Sequence, residues 1–228
     1  MESPHPPCCA IPCCKRTCEQ SGFCESLGKV GLKYFDEHRA VIMGIASFFS
    51  FLSIIFCIVA VCATSLEAET VKNTCWTYGE TDNYKYYVGL EEIIITGGPG
   101  DDQLELEWSD AQCPDSYCED CKDATASSVS TAIMSLVTCF PTLATDVQRS
   151  TRKGDLNCQK FMALLTGFIG TITTLSALSA YAEGCYKELP DTDFNGDDIT
   201  WSLGPGFSML MLATILKPID VILHLLLP

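Results

Sequence analysis

The sequence predicts a membrane α-helical protein: a four-transmembrane-helix bundle with a small extracellular antiparallel β-sheet in its first outer loop. Three observations predict this. Four apolar stretches lie at 41–64, 126–147, 161–182 and 203–223, close to the ~20 residues that cross a hydrocarbon core. The chain carries a net charge of −15 although 47% of its residues are hydrophobic, so the charge must lie outside those stretches. The segment between the first two alternates short apolar runs with turn residues, a strand pattern rather than a helix pattern.

The amino-terminal arm, MESPHPPCCAIPCCKRTCEQSGFC, holds four prolines and six cysteines and cannot form a packed core. It also lacks the apolar core of a secretory signal peptide, so the first span is expected to act as an uncleaved anchor. Leu27, Val30, Tyr34 and Phe35 then recur at helical spacing with Lys29 and Lys33 on another face. That suits either a short interfacial helix or a cytoplasmic extension of the first span. Residues 1–39 are thus read as a cytoplasmic arm and 40–228 as one four-span membrane domain.

Span 41–64 contains no charged residue. Span 126–147 is dense in Ala, Ser and Thr, which suits close packing between helices, and Pro141 is expected to kink it. Span 161–182 carries Gly167, Gly170, Ser176 and Ala180, again packing residues. Span 203–223 opens with Gly204-Pro205-Gly206 and meets Lys217 and Asp220 near its far end. Those two mark either the cytoplasmic boundary, with the last residues lying on the inner surface, or an intramembrane pair, which would be functional by default.

Charge orients the spans. Lys15, Arg16, Lys29, Lys33 and Arg39 precede the first, and Arg149, Arg152, Lys153 and Lys160 join the second and third. By the positive-inside rule both groups are cytoplasmic, and so are both termini. The two outer loops are then 65–125, with fifteen acids against three lysines, and 183–202, with six acids against one lysine. Such a surface attracts cations or basic partners and excludes nucleic acid. The expected location is the plasma membrane or another secretory-pathway membrane.

In the first outer loop, strands are expected over Thr70–Tyr78, Tyr84–Val88, Glu91–Thr96 and Gln103–Trp108. The last two are joined by the turn Gly97-Gly98-Pro99-Gly100-Asp101-Asp102.

Six of the fifteen cysteines, Cys8, Cys9, Cys13, Cys14, Cys18 and Cys24, fall in the arm beside Lys15 and Arg16. Reduced, basic-flanked and near a membrane, they fit S-palmitoylation; their doubled spacing does not match paired zinc ligands. Five face outside: Cys75, Cys113, Cys118, Cys121 and Cys185. An oxidising compartment pairs such cysteines, leaving one over. A bridge from Cys75 to Cys113, Cys118 or Cys121 is expected to clamp the sheet, with a local bridge among the later three as the alternative. Cys118-Glu-Asp-Cys121 also has redox-motif spacing, but Asp115, Glu119 and Asp120 crowd it with negative charge, which opposes thiolate formation. Cys57, Cys62 and Cys139 read as buried small residues.

Asp191, Asp193, Asn195 and Asp197, with Gly196 between the last two, open like a calcium loop. Ser202 stands where such a loop has its bidentate Glu, so the site is either a weak calcium site or a solvated acidic turn. No phosphate-binding loop, G-x-S-x-G or H-E-x-x-H motif is present, and His5, His38 and His224 are far apart in the chain. The expectation is no enzyme and no tightly held cofactor.

Trp76 early in the first outer loop, Gly89-Leu90 after it and a later run of cysteines resemble the claudin and peripheral-myelin-protein superfamily. Glu91 stands where that pattern has a second Trp. Cys75-Trp76-Thr77-Tyr78-Gly79 is also similar to part of the amastin signature. The resemblance implies a claudin-like bundle in which Trp76, Gly89, Leu90 and Trp108 anchor the sheet. Its functional implication is a non-enzymatic tetraspan that organises or modulates partner membrane proteins through its disulfide-tied acidic loop. Two alternatives are a self-assembling cation-selective pore or barrier and a membrane thiol–disulfide oxidoreductase using Cys118 and Cys121.

Overall fold

The computed structural model describes residues 38–64, 67–98, 102–108, 116–150, 157–193 and 195–226. The arm cysteines Cys8, Cys9, Cys13, Cys14, Cys18 and Cys24, and Cys113, lie outside them. Four helices are long and apolar enough to cross a membrane: α1 Arg39–Val61, α3 Ser116–Arg149, α4 Asn157–Gly184 and α5 Pro205–Leu226. A short α2 covers Ala68–Thr74, and five strands cover Thr77–Glu80 (β1), Tyr84–Val88 (β2), Glu92–Gly97 (β3), Asp102–Glu107 (β4) and Thr200–Leu203 (β5).

The spanning helices share one packing rule. On α1 the buried positions are 43, 46, 50, 53, 54, 57 and 60, with 54 flanking the stripe; on α3 they are 118, 121, 125, 128, 132, 135, 139, 142, 146 and 149. On α5 they include 206, 210, 213, 217, 220 and 224. Alternating steps of three and four are the 3.5-residue period of left-handed supercoiled helices. The other faces expose large apolar side chains such as Phe48, Phe51, Val137, Phe140, Phe168 and Ile215. That inversion suits lipid as the solvent. The seam of α3 is mostly Cys, Ser, Thr and Ala, which lets backbones approach closely. Ser128 Oγ donates to the Ala177 carbonyl of α4 at 3.1 Å, and Thr142 meets Thr166 at 3.0 Å. Helix α3 runs through Pro141 without a break and begins at Ser116, well before the apolar stretch, so the first outer loop is shorter than its composition suggests.

The sheet order is β4-β3-β2-β1-β5, all antiparallel. Gly97 (φ 123°) and Gly98 (φ 87°) turn β3 toward β4 in the left-handed region, which glycine enters without a Cβ clash. Two strand expectations need correction. Thr70–Tyr78 is not one strand: Ala68–Thr74 is helical, because the Glu67 carbonyl accepts from the amides of Thr70 and Val71. Asn73 and Thr74 bond back to the carbonyls of Glu69 and Thr70. Only Val71 of this helix is buried. The fifth strand, β5, comes from the second outer loop and pairs Gly79 with Trp201. The segments that precede α3 and α5 therefore build a single sheet.

Candidate functional site

Trp76 holds that sheet to the bundle. It is fully buried, its Nε1 donates to the Ala60 carbonyl at the end of α1 at 2.9 Å, and its ring meets Tyr181 of α4 and Phe207 of α5 edge-on. The Trp76 amide and carbonyl pair with Val88 and Gly204. Leu90 donates its amide to the Ala63 carbonyl at 3.0 Å. A Cβ on Gly89 would sit 2.9 Å from that same oxygen, so only glycine lets β2 approach the end of α1. Trp108 is buried, and its amide donates to the Glu91 carbonyl. Trp76, Gly89 and Leu90 thus meet the end of α1, while Trp108 packs in the same buried cluster.

The disulfide clamp is different from the one expected. Cys75 is a buried free thiol, pushed up to about 11 by burial. The bridge joins Cys121, on the first turns of α3, to Cys185, just past α4. The 3–4 seam turns Cys121 toward α4, whereas Cys75 faces the Gly204 backbone. Cys118 is also disulfide-bonded. Since Cys121 is bridged to Cys185, Cys118 and Cys121 are not each other's partner.

The acidic turn of the second outer loop is stitched internally. The Asp193 Oδ1 accepts from the amides of Asn195 and Asp197 at 2.8 and 2.9 Å, Gly196 has φ 86°, and Asn83 Nδ2 reaches Asp197 Oδ2 at 3.5 Å. Among the described residues, the carboxylate and imidazole groups that converge within 4.8 Å are Asp146, Asp220 and His224. Asp191, Asp193 and Asp197 are not among them.

That convergence lies inside the bundle, toward the ends of the helices away from the sheet. Helix α5 continues to Leu226, and Lys217, Asp220 and His224 are all buried on its seam. Lys217 and Asp220 do not bond each other directly. Lys217 Nζ donates to the Ser135 carbonyl at 3.0 Å, to the Ser135 hydroxyl and to the Gly170 carbonyl. Cys57 and Cys139 crowd the same Ser135. Further toward the helix ends, Asp146 accepts from the Ser50 hydroxyl at 2.6 Å and contacts His224 Nε2 at 2.5 Å. Arg149 Nη1 meets His224 Nδ1 at 2.6 Å, and Arg39 Nε donates to the Arg149 carbonyl at 3.1 Å. Helices α1, α3, α4 and α5 thus share a polar column in place of an apolar seam. Between Lys217 and Asp220 lies a cavity of about 10 Å³ lined also by Ser50, Ser53, Thr138, Thr142 and Thr166, room for about one water.

In the sequence alone His224 falls in a segment expected to lie on the inner surface, Arg149 in the loop that joins the second and third spans, and Asp146 carries no separate signal. The missed signal is the spacing of 217, 220 and 224, which puts Lys, Asp and His on one helical face. No protein-family model matches this chain, and no curated protein matches it.

Proposed function

We propose that this chain is a non-enzymatic tetraspan membrane protein that engages other membrane proteins through the acidic outer face of its sheet. One observation carries the reading. Both outer loops enter a single sheet that Trp76 holds to the bundle, so the acids ride on a rigid platform rather than on free loops. Glu80, Glu91, Glu105 and Glu107 are exposed on it, and β4 forms one edge of the sheet. Glu105 and Glu107 alternate along that edge with Leu104, which is 49% exposed. A strand edge offers main-chain pairing, and its charges select a basic partner. The claudin-superfamily resemblance carried by Trp76 and Gly89-Leu90 accords with this role. The positive-inside distribution of Lys and Arg puts the sheet outside and both termini in the cytoplasm.

The test compares the parent with the double variant Glu105→Lys, Glu107→Lys, each expressed in its native membrane and crosslinked before solubilisation. Defined membrane-protein adducts should disappear in the variant while its unfolding temperature stays unchanged. Adducts of unchanged identity and yield would refute the platform reading. Adducts consisting only of further copies of this chain would move it to self-assembly.

A further inference from the structure

The buried column lies far from the outer face, and its chemistry can be read from its hydrogen bonds. Arg149 has donors only, so the 2.6 Å contact from its Nη1 makes His224 Nδ1 an acceptor. His224 is then neutral, carries its proton on Nε2 and donates it to Asp146. Asp146 also accepts from the Ser50 hydroxyl, and Arg149 lies three residues along the same helix.

This arrangement does not fit a metal ion. A metal-bound imidazole gives its second N–H to an acceptor, and the guanidinium of Arg149 cannot accept. Nε2 is itself protonated in this network.

Asp220 is the group without a place in the network. It is 3% exposed, neither carboxyl oxygen has a hydrogen-bond partner, and its Oδ2 lies 3.8 Å from His224 Nε2. A bare carboxylate in a hydrocarbon-enclosed site is costly, and the cost is removed by a proton or by a hydrogen-bonding neighbour. The cavity supplies both options: hydroxyl acceptors on one side and the Lys217 ammonium on another. The charged and titratable groups facing Asp220 are Asp146 and Arg149 from α3 and Lys217 and His224 from its own helix, with Cys139 at the cavity wall. Helix α1 brings only Ser50 and Ser53, and α4 only Thr166 and glycine backbone.

We propose that Asp220 is a reversible proton-binding site of the bundle, beside the polar cavity that it shares with Lys217. In the loaded state Asp220 is a neutral acid whose O–H donates into the hydroxyl-lined cavity. In the unloaded state the proton has left to solvent, and the carboxylate faces the Lys217 ammonium across the cavity. The proton is the only species exchanged, and no bond to carbon changes. Beyond Lys217 toward the sheet the α5 seam is apolar, with Ala213, Leu210 and Phe207. The apolar seam gives the proton no onward relay toward the sheet, which suits a sensor rather than a conduit. The position of the site matters to packing. A Cβ on Gly170 would lie 2.6 Å from Thr138 Oγ1 and 3.2 Å from Lys217 Nζ, so the cavity sits where α3, α4 and α5 are in close contact.

The full chain in lipid nanodiscs, followed by infrared difference spectroscopy across a pH titration, tests this. A carboxylic-acid band from a buried, neutral group should appear on acidification and be lost in Asp220→Asn. Asp220→Glu should keep the band at a shifted frequency and midpoint, which guards against a variant that fails to fold. Glu92→Gln, which removes the buried carboxyl of the sheet, should leave the band in place. A band that is absent, insensitive to pH, or retained in Asp220→Asn would overturn the proposal. So would a zinc-dependent rise in unfolding temperature that vanishes in His224→Ala, because that would assign the cluster to a metal.

Discussion

The indole nitrogen of Trp76 donates to the backbone carbonyl of Ala60 across 2.9 Å. This bond joins the base of β1 to the last turn of α1, and Tyr181 and Phe207 close around the ring from α4 and α5. Removing the ring should therefore uncouple sheet from bundle. Trp76→Ala is expected to cost about 3–5 kcal/mol through the cavity it leaves. Trp76→Phe keeps most of the packing but leaves the Ala60 carbonyl unpaired, for about 1–3 kcal/mol. Thermal unfolding in detergent micelles should rank the three proteins in that order. Equal stabilities for parent and Trp76→Phe would mean that the bond contributes nothing.

The Cys121–Cys185 bridge closes 64 residues, worth about 4 kcal/mol in the chain-entropy model. That is an upper value, since unfolded helices in a bilayer keep their ends close. Reduction and Cys185→Ser should lower the unfolding temperature alike. Non-reducing peptide mapping should join Cys121 to Cys185. Cys75, buried and with its thiol pushed up to about 11, should resist alkylation below pH 9 and react only in denaturant. A Cys75-containing disulfide peptide would overturn this connectivity.

Glu92 sets a pH dependence. It is buried on β3, opposite Glu107 on β4. Burial first, then the charges of Glu105, Glu107 and Glu91, push its carboxyl up from the usual 4.5. The folded state binds this proton more tightly than the unfolded chain. The resulting stabilisation is full below pH 4.5 and is lost as pH rises through the folded value. Unfolding temperature should decline over that window in the parent, and Glu92→Gln should flatten the decline. An identical slope in the variant would assign it to other outer acids.

Gly79 on β1 faces Trp201 on β5. A Cβ there would lie 2.5 Å from the Trp201 ring and 3.0 Å from Ile199. Gly79→Val should push β5 off the sheet at about 1–3 kcal/mol, as overpacking does. Limited proteolysis should then cut within 190–203 while the spanning helices stay intact. Unchanged protection would show that the ring moves aside.

Much of the architecture is legible in the order of residues. Phe48, Phe140 and Ile215 belong to stretches whose length and apolarity make a helix in lipid the available solution, because every backbone polar group must be satisfied within its own segment. The strands from Tyr84 to Glu107 follow from alternation, and the turn at Gly97-Gly98 follows from the need for positive φ. These are local properties, set by side chains and their immediate neighbours. Trp76, Gly89 and Leu90 stand out by motif, although their contact with Ala60 and Ala63 does not.

Other features depend on distance in space. Thr200–Leu203 is too short to read as a strand and becomes one only because β1 offers an edge after α4 and α5 have closed the bundle. Cys121 finds Cys185 rather than Cys75 because the supercoil turns it toward α4. From the sequence Lys217 and Asp220 read as a span boundary or an intramembrane pair, and nothing joins them to Asp146, Arg149 or His224. Their joining depends on the 3–4 seam continuing through the last turns of α3 and α5, which carries charged side chains into the protein rather than into water. Once there, each must find a partner within the bundle, and Asp220 alone among these five lacks a hydrogen bond to one.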